Sequence, residues 1–170
     1  SRITGGKLGY DDGGKLAASG KVIPALLNWM LEDPYLAKQP PKTTGREYYG
    51  AAYVEKLVSF GDYPLQDILA TATRFTAESI ALSLHRFARR MPARLVVGGG
   101  GSRNPTLLRF LAEALPECRV QTQEDLGCDS DSKEAVAFAL LANEALFGIC
   151  NNAPSATGAA HPVVMGRINL

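Results

Sequence analysis

Four consecutive glycines, Gly98 to Gly101, stand between a short apolar run, Arg94-Leu95-Val96-Val97, and a segment with helical spacing. Glycine has no Cβ, so a backbone built from it can take positive φ and let a ligand approach closely. A strand that ends in such a turn and feeds straight into a helix commits the chain to an α/β arrangement, with strand end and helix start facing one space. Asn104 is a good N-cap, Pro105 suits the first helical position, and Leu107, Leu108, Leu111 and Leu115 then recur on one face. Amides at such a helix start favour an anion. The turn is not a Walker loop, since no Gly-Lys-Ser/Thr follows, and it lacks the spaced glycines of dinucleotide folds. As a strand end joined to a capped helix it favours a nucleotide or sugar site over a plain tight turn.

The remaining pattern extends this reading. Residues 4–14 are glycine-rich loop, and residues 15–20 form a short helical turn closed by Gly20. Pro24 opens a helix with Leu26, Leu27, Met30 and Leu31 on its apolar side, stopped at Asp33-Pro34. Residues 38–50 have no period: two adjacent prolines precede Lys42, Thr43, Thr44, Arg46 and Glu47, a polar cluster that suits a binding loop or a solvated connector. The clearest helix runs from about Pro64 to Arg90 on Leu65, Ile68, Leu69, Ala72, Phe75, Ile80, Leu84 and Phe87. A second strand is expected at residues 118–122, and a third helix carries Val136, Ala139, Leu140, Asn143 and Phe147 along one side. A final strand is possible at Val163-Val164-Met165. Residues 1–60 then form a helical and loop insertion with a substrate-side loop, 61–150 a helix-strand-helix-strand-helix core, and 151–170 a tail. Two strands are too few for a stable sheet, and the start of the chain, without Met, reads as a cut inside a longer protein that holds the other strands.

Composition narrows the function. The 170 residues carry a formal charge of +1, which attracts neither nucleic acid nor an anionic membrane. Arg86, Arg89 and Arg90, the densest basic group, complement the end of their helix. No apolar run approaches the roughly 20 residues of a membrane span. The three cysteines, Cys118, Cys128 and Cys150, have no metal spacing, and their odd number argues against a secreted disulfide framework, so a cytoplasmic protein is expected. His85 and His161 belong to no partnered motif, and His85 suits a helix surface.

Five segments in order carry a resemblance. They are Asp12-Gly13 through Ala18-x-Gly20-Lys21-Val22; Pro41-Lys42-Thr43-Thr44-Gly45-Arg46-Glu47-Tyr48; the glycine turn; Ser132-Lys133-Glu134-Ala135-Val136-Ala137-Phe138-Ala139; and Asn152-x-Pro154-Ser155-x-Thr157-Gly158-Ala159. Val97-Gly98-Gly99-Gly100-Gly101-x-x-Asn104 is similar to the adenosine-contacting turn of the actin/hexokinase superfamily, and the five together resemble the anhydro-N-acetylmuramic acid kinase family. The Pro-Lys-Thr-Thr-Gly-Arg-Glu string is the most specific of them.

The resemblance implies the carboxyl-terminal domain of an actin-like (ribonuclease H-like) ATPase fold, helix-rich, with part of its sheet missing upstream. It implies ATP and Mg2+ as cofactors, an anhydro sugar as substrate, a homodimer for the full-length protein, and a role in peptidoglycan recycling. It places the nucleotide against Gly98, Gly99, Gly100, Gly101 and Asn104. The family's catalytic aspartate lies in an Asp-Thr-Gly-Pro-Gly-Asn segment that does not occur here, so these residues alone are expected not to catalyse. On the sugar side the resemblance points to Glu134, with Arg46 and Glu47 either lining the cleft or pairing with each other. Glu134 has a second reading: Asp131-Ser132-Lys133-Glu134 has the form of a capping box, with Asp131 as N-cap. Lys133 beside it suits sugar, phosphate or solvent. Outside this family, a kinase for another small sugar or a non-catalytic nucleotide-binding module would share the turn.

Overall fold

The computed structural model describes Gly6 and residues 9–167. Eight helices and two strands occur among them: α1 Lys15–Ser19, α2 Pro24–Leu31, α3 Pro34–Ala37, α4 Ala51–Val58, α5 Leu65–Phe87, β1 Arg94–Val97, α6 Pro105–Ala114, β2 Arg119–Thr122, α7 Lys133–Leu146 and α8 Pro154–Thr157. The architecture is α/β and rich in helix. The strands lie parallel, Arg94 opposite Arg119 and Val97 opposite Thr122, with α6 as the crossover between them.

Helix α5 is the spine. Its 23 residues span about 34 Å at 1.5 Å per residue, and three apolar clusters line its length. Ile68 and Phe75 meet Ile23, Leu26, Met30, Leu36 and Leu57 from the amino-terminal helices. Ala77 meets Phe110 and Leu111 of α6, with Leu95, Val97 and Val120 of the sheet packed alongside. Ala81 meets Leu115 and Cys118. The alanines let α6 approach closely, and Leu26, Leu111 and Leu115, all 1% exposed or less, each contribute about 1.5–3 kcal/mol by leaving water. Arg74 ties the two helices, reaching Glu78 at 2.6 Å and Glu113 at 2.5 Å.

Of the glycine-rich start, residues 4, 5, 7 and 8 lie outside the described residues; the stretch that runs into α1 is ordered by one carboxylate. Asp11 accepts from the amides of Leu16 and Ala17, both at 2.9 Å, and so caps α1. The stretch after α1 is strapped to α5: Asp67 accepts from Lys21 N–H at 2.7 Å, and the fully buried Thr71 hydroxyl accepts from Ile23 N–H at 2.9 Å while donating to the Asp67 carbonyl.

Four segments differ from the sequence pattern: α3 follows the stop expected at Asp33-Pro34, α8 lies in the tail read as loop, and the other two are α4 and residues 163–165. Helix α4 occupies residues read as neither helix nor strand, although Tyr53 and Leu57, and Val54 and Val58, recur at helical spacing; contacts from Tyr53 and Leu57 to the α2–α5 cluster seat it. The strand expected at Val163–Met165 is absent. That stretch is held instead by asparagine side chains: Asn152 Oδ1 accepts from Val163 N–H at 2.8 Å and Asn151 Oδ1 from Met165 N–H at 2.6 Å. With its backbone groups met this way, the segment joins no neighbouring strand.

Candidate functional site

Strand β1 delivers the chain to the carboxyl edge of the sheet, the side where ligands of parallel α/β sheets sit. Gly98 passes under the Gln123 side chain: a Cβ there would lie 2.1 Å from Gln123 Oε1. Gly99 then turns with φ 76° and ψ −164°, a conformation only glycine takes without strain. Around Gly99 and Gly100 an added Cβ would meet nothing within 4 Å, so this backbone faces open space. Ser102 closes the turn from below, its buried hydroxyl and its amide both donating to the Gly99 carbonyl at 2.8 and 3.0 Å.

Asn104 caps α6 as its sequence predicts, Oδ1 accepting from Leu107 N–H at 3.0 Å with Pro105 next. The same side chain lies against the backbone of Gly14, where a Cβ would stand 2.0 Å from Asn104 Oδ1. Gly14 has φ 65° as well, so both shape and conformation demand glycine there. Thr106 completes the join by donating to the Gly14 carbonyl at 3.0 Å. The Asp12-Gly13 segment is thereby fixed beside the glycine turn.

The loop after β2 forms the second wall. Gln123 N–H donates to the Val97 carbonyl at 3.0 Å, and its side chain covers Gly98. Thr122 and Asp125 exchange hydrogen bonds, Asp125 accepting from Thr122 N–H at 2.7 Å and donating its own N–H to Thr122 Oγ1 at 3.1 Å. Glu124 accepts from Ser130 N–H, while Asp129 accepts from the Ser132 hydroxyl and the Asp131 amide. Hydrogen bonds from Ser130, Thr122 and Ser132 respectively hold the carboxyls of Glu124, Asp125 and Asp129 below their usual range. Arg103, at the end of the turn, closes the two walls with an ion pair to Asp131, and the guanidinium pKa is raised by that bond and by the surrounding carboxylates.

The capping box expected at 131–134 does not form. Asp131 is turned to Arg103, the N-cap position falls to Ser132, and the Ser132 hydroxyl is committed to Asp129. Glu134 stands exposed in the first turn of α7, next to exposed Lys133. Arg46 and Glu47 lie elsewhere, exposed on the loop before α4, and no ion pair joins them among the described residues. Glu47 folds back over Gly45 and helps line a cavity of about 480 Å3 with Trp29, Asp33, Tyr48, Tyr53 and Lys56. Burial, with the negative Asp33 nearby, pushes the Tyr53 hydroxyl up to about 12 and the Tyr49 hydroxyl higher still, so both stay protonated.

The structure therefore gathers Gly98 to Gly101, Asn104 and the start of α7 at one sheet edge, and makes no direct contact from them to Arg46 and Glu47. Gln123 and Arg103 were not singled out by sequence pattern, and Asp131 only as a helix cap. The parallel register does explain Gln123: Val97 pairs with Thr122, so the residues that follow, Gly98 and Gln123, must emerge side by side.

A bare-backbone turn leading into a capped helix, at the carboxyl edge of parallel strands, defines an α/β protein with a stretch of its main chain open at the sheet edge. Residues 3–170 match the family model for anhydro-N-acetylmuramic acid kinase. Among curated proteins, the chain is 48% identical over 174 residues to an anhydro-N-acetylmuramic acid kinase of Caldanaerobacter subterraneus subsp. tengcongensis, covering 99% of this chain and 44% of that protein. Proteins of the same description from Bacillus cereus strain G9842 and Francisella tularensis subsp. novicida are 44% and 42% identical over 96% and 95% of the chain, which covers 44% and 43% of each. The chain belongs to the anhydro-N-acetylmuramic acid kinase family. It spans less than half the length of these relatives.

Proposed function

We propose that this chain forms the nucleotide side of a cytoplasmic sugar kinase that converts 1,6-anhydro-N-acetylmuramic acid to N-acetylmuramic acid 6-phosphate in peptidoglycan recycling. In that reaction ATP supplies the γ-phosphoryl group to O6, water adds at the anomeric carbon, the C1–O6 bond breaks, and ADP leaves. The observation that carries the reading is the open face of Gly99 and Gly100, where nothing stands within 4 Å of a Cβ position. Adenosine would settle against Gly98 to Gly101 with Asn104 at the helix start, whose dipole favours the phosphate charge. Glu134 is assigned to the sugar. Arg46 and Glu47 complete the sugar side on the aromatic loop region. Among the described residues no three His, Cys, Asp or Glu side chains gather to hold a metal, so Mg2+ would be held chiefly through the nucleotide phosphates. The carboxylate that activates water is assigned to sequence outside these 170 residues, and the working enzyme is taken as a homodimer.

The test is made on the intact protein, with ATP, Mg2+ and the anhydro sugar. Formation of the 6-phosphate is expected; failure to form it while a simple hexose is phosphorylated would move the enzyme to another substrate. Gly100→Val isolates the turn. Its Cβ meets open space and its φ is not positive, so the fold tolerates the change. A nucleotide seated there would be crowded, and its Kd is expected to rise about 10-fold or more, or roughly 1.4 kcal/mol. Unchanged nucleotide affinity would return the glycines to plain structure.

A further inference from the structure

Helix α7 meets the tail, where the Asn151 side chain donates to the Leu141 carbonyl at 3.0 Å and residues 165–167 lie beside Ala145 and Leu146. No helix or strand packs broadly along it among the described residues, and Val136, Phe138, Leu140, Leu146 and Phe147 are 55–73% exposed. Its amino-terminal end is nevertheless fastened to the glycine turn. Arg103 ends the single 3-10 turn that begins at Gly100, and Asp131 lies two residues before Lys133, the first residue of α7. Their ion pair bridges the wall assigned to the nucleotide and the helix end that carries Glu134, assigned to the sugar. The loop between is stiffened by its own carboxylates: Glu124 holds Ser130, and Asp129 holds Asp131 and Ser132. A shift of the turn is thus carried to the first turn of α7 instead of being absorbed between them.

Resting on the function proposed above, we infer that Arg103 and Asp131 are positioning residues that couple the two substrates. The bridge sets where Glu134 stands relative to the glycine turn. A nucleotide that fixes the turn therefore also fixes the sugar-side helix. The pair is poorly placed to serve stability, because its side chains are 62% and 67% exposed and an ion pair so wetted adds little to folding. Its geometry is better explained by what it joins. The coupling it carries is correspondingly modest, at most about fivefold, the ceiling for an exposed pair.

The experiment uses the intact protein and a non-hydrolysable ATP analogue, whose Kd is measured with and without the anhydro sugar. In the wild type, sugar is expected to tighten the analogue. In Asp131→Asn and in Arg103→Gln, affinity for the analogue alone should hold within about twofold, while the tightening by sugar falls about three- to fivefold. The exchanged pair Arg103→Asp with Asp131→Arg should recover most of it, and thermal unfolding should be nearly unchanged in all of them. Wild-type coupling retained in the single variants, or no recovery in the exchanged pair, overturns the inference. A wild type that binds the analogue and phosphorylates the sugar, with no coupling to lose, overturns it too while leaving the proposed function standing. A wild type that binds no analogue removes both.

Discussion

Helices α6 and α7 follow the two parallel strands, one each, and differ in almost everything else. α6 begins with a capping asparagine and a proline, and it buries Phe110 and Leu111 against α5, with Leu115 just beyond its end. The N-cap of α7, Ser132, makes no capping bond, and residues 133–140 are all exposed. The difference lies in how the apolar residues are spread. Those of α6 gather toward α5 and the sheet. On α7, Val136, Phe138 and Leu140 step by two, so they point to more than one side. A helix apolar around its circumference is built for enclosure. The contrast teaches that two helices of similar composition, following strands of one sheet, can have opposite debts to this chain. One is stabilised within it, and the other offers its surface outward.

The largest effect should come from the cores of the two helices. Leu111→Ala is expected to lower the stability of this chain by about 2–5 kcal/mol in denaturant unfolding. Phe138→Ala should stay within about 0.5 kcal/mol, since its side chain is mostly in water already. A comparable loss in both would erase the contrast. The caps give a smaller effect: Asn104→Ala should cost about 1–2 kcal/mol, because it removes the helix cap and the filling beside Gly14, whereas Ser132→Ala should cost little. Urea midpoints measured side by side would sharpen that ranking. The smallest effect concerns acid. Glu124, Asp125 and Asp129 have pKa values below their unfolded ones, so their contribution is complete above about pH 5 and fades as pH falls through the folded values. Amide exchange, corrected for intrinsic rate, should therefore rise in residues 123–132 before it rises in α6; simultaneous loss would mean the loop is not held by its carboxylates.

How much could be read beforehand follows the same division. The long helix, both strands, the glycine turn and the Asn104 cap were legible because each is written in adjacent residues: a period, a breaker, a cap. Helix α4 was not read, although Tyr53, Val54, Leu57 and Val58 carry helical spacing, because it is only two turns long and lies in the unperiodic stretch after residues 38–50. Residues 131–134 match a capping box letter for letter, yet Arg103, 28 residues earlier, takes the Asp131 carboxylate. A tertiary ion pair there displaced a local motif. At 163–165 a β-branched pair suggested a strand, but asparagine side chains met the backbone groups first. For the site, the turn was legible and its second wall was not, since Gln123 acquires its place only through strand register.

The bond from the Thr106 hydroxyl to the Gly14 carbonyl spans 92 positions. With it, α1 and α6, each packed on α5, are also tied directly to one another across a long loop of chain. A protease that nicks the exposed stretch around residues 43–48 would accordingly leave two fragments that travel together through a sizing column and separate only in denaturant.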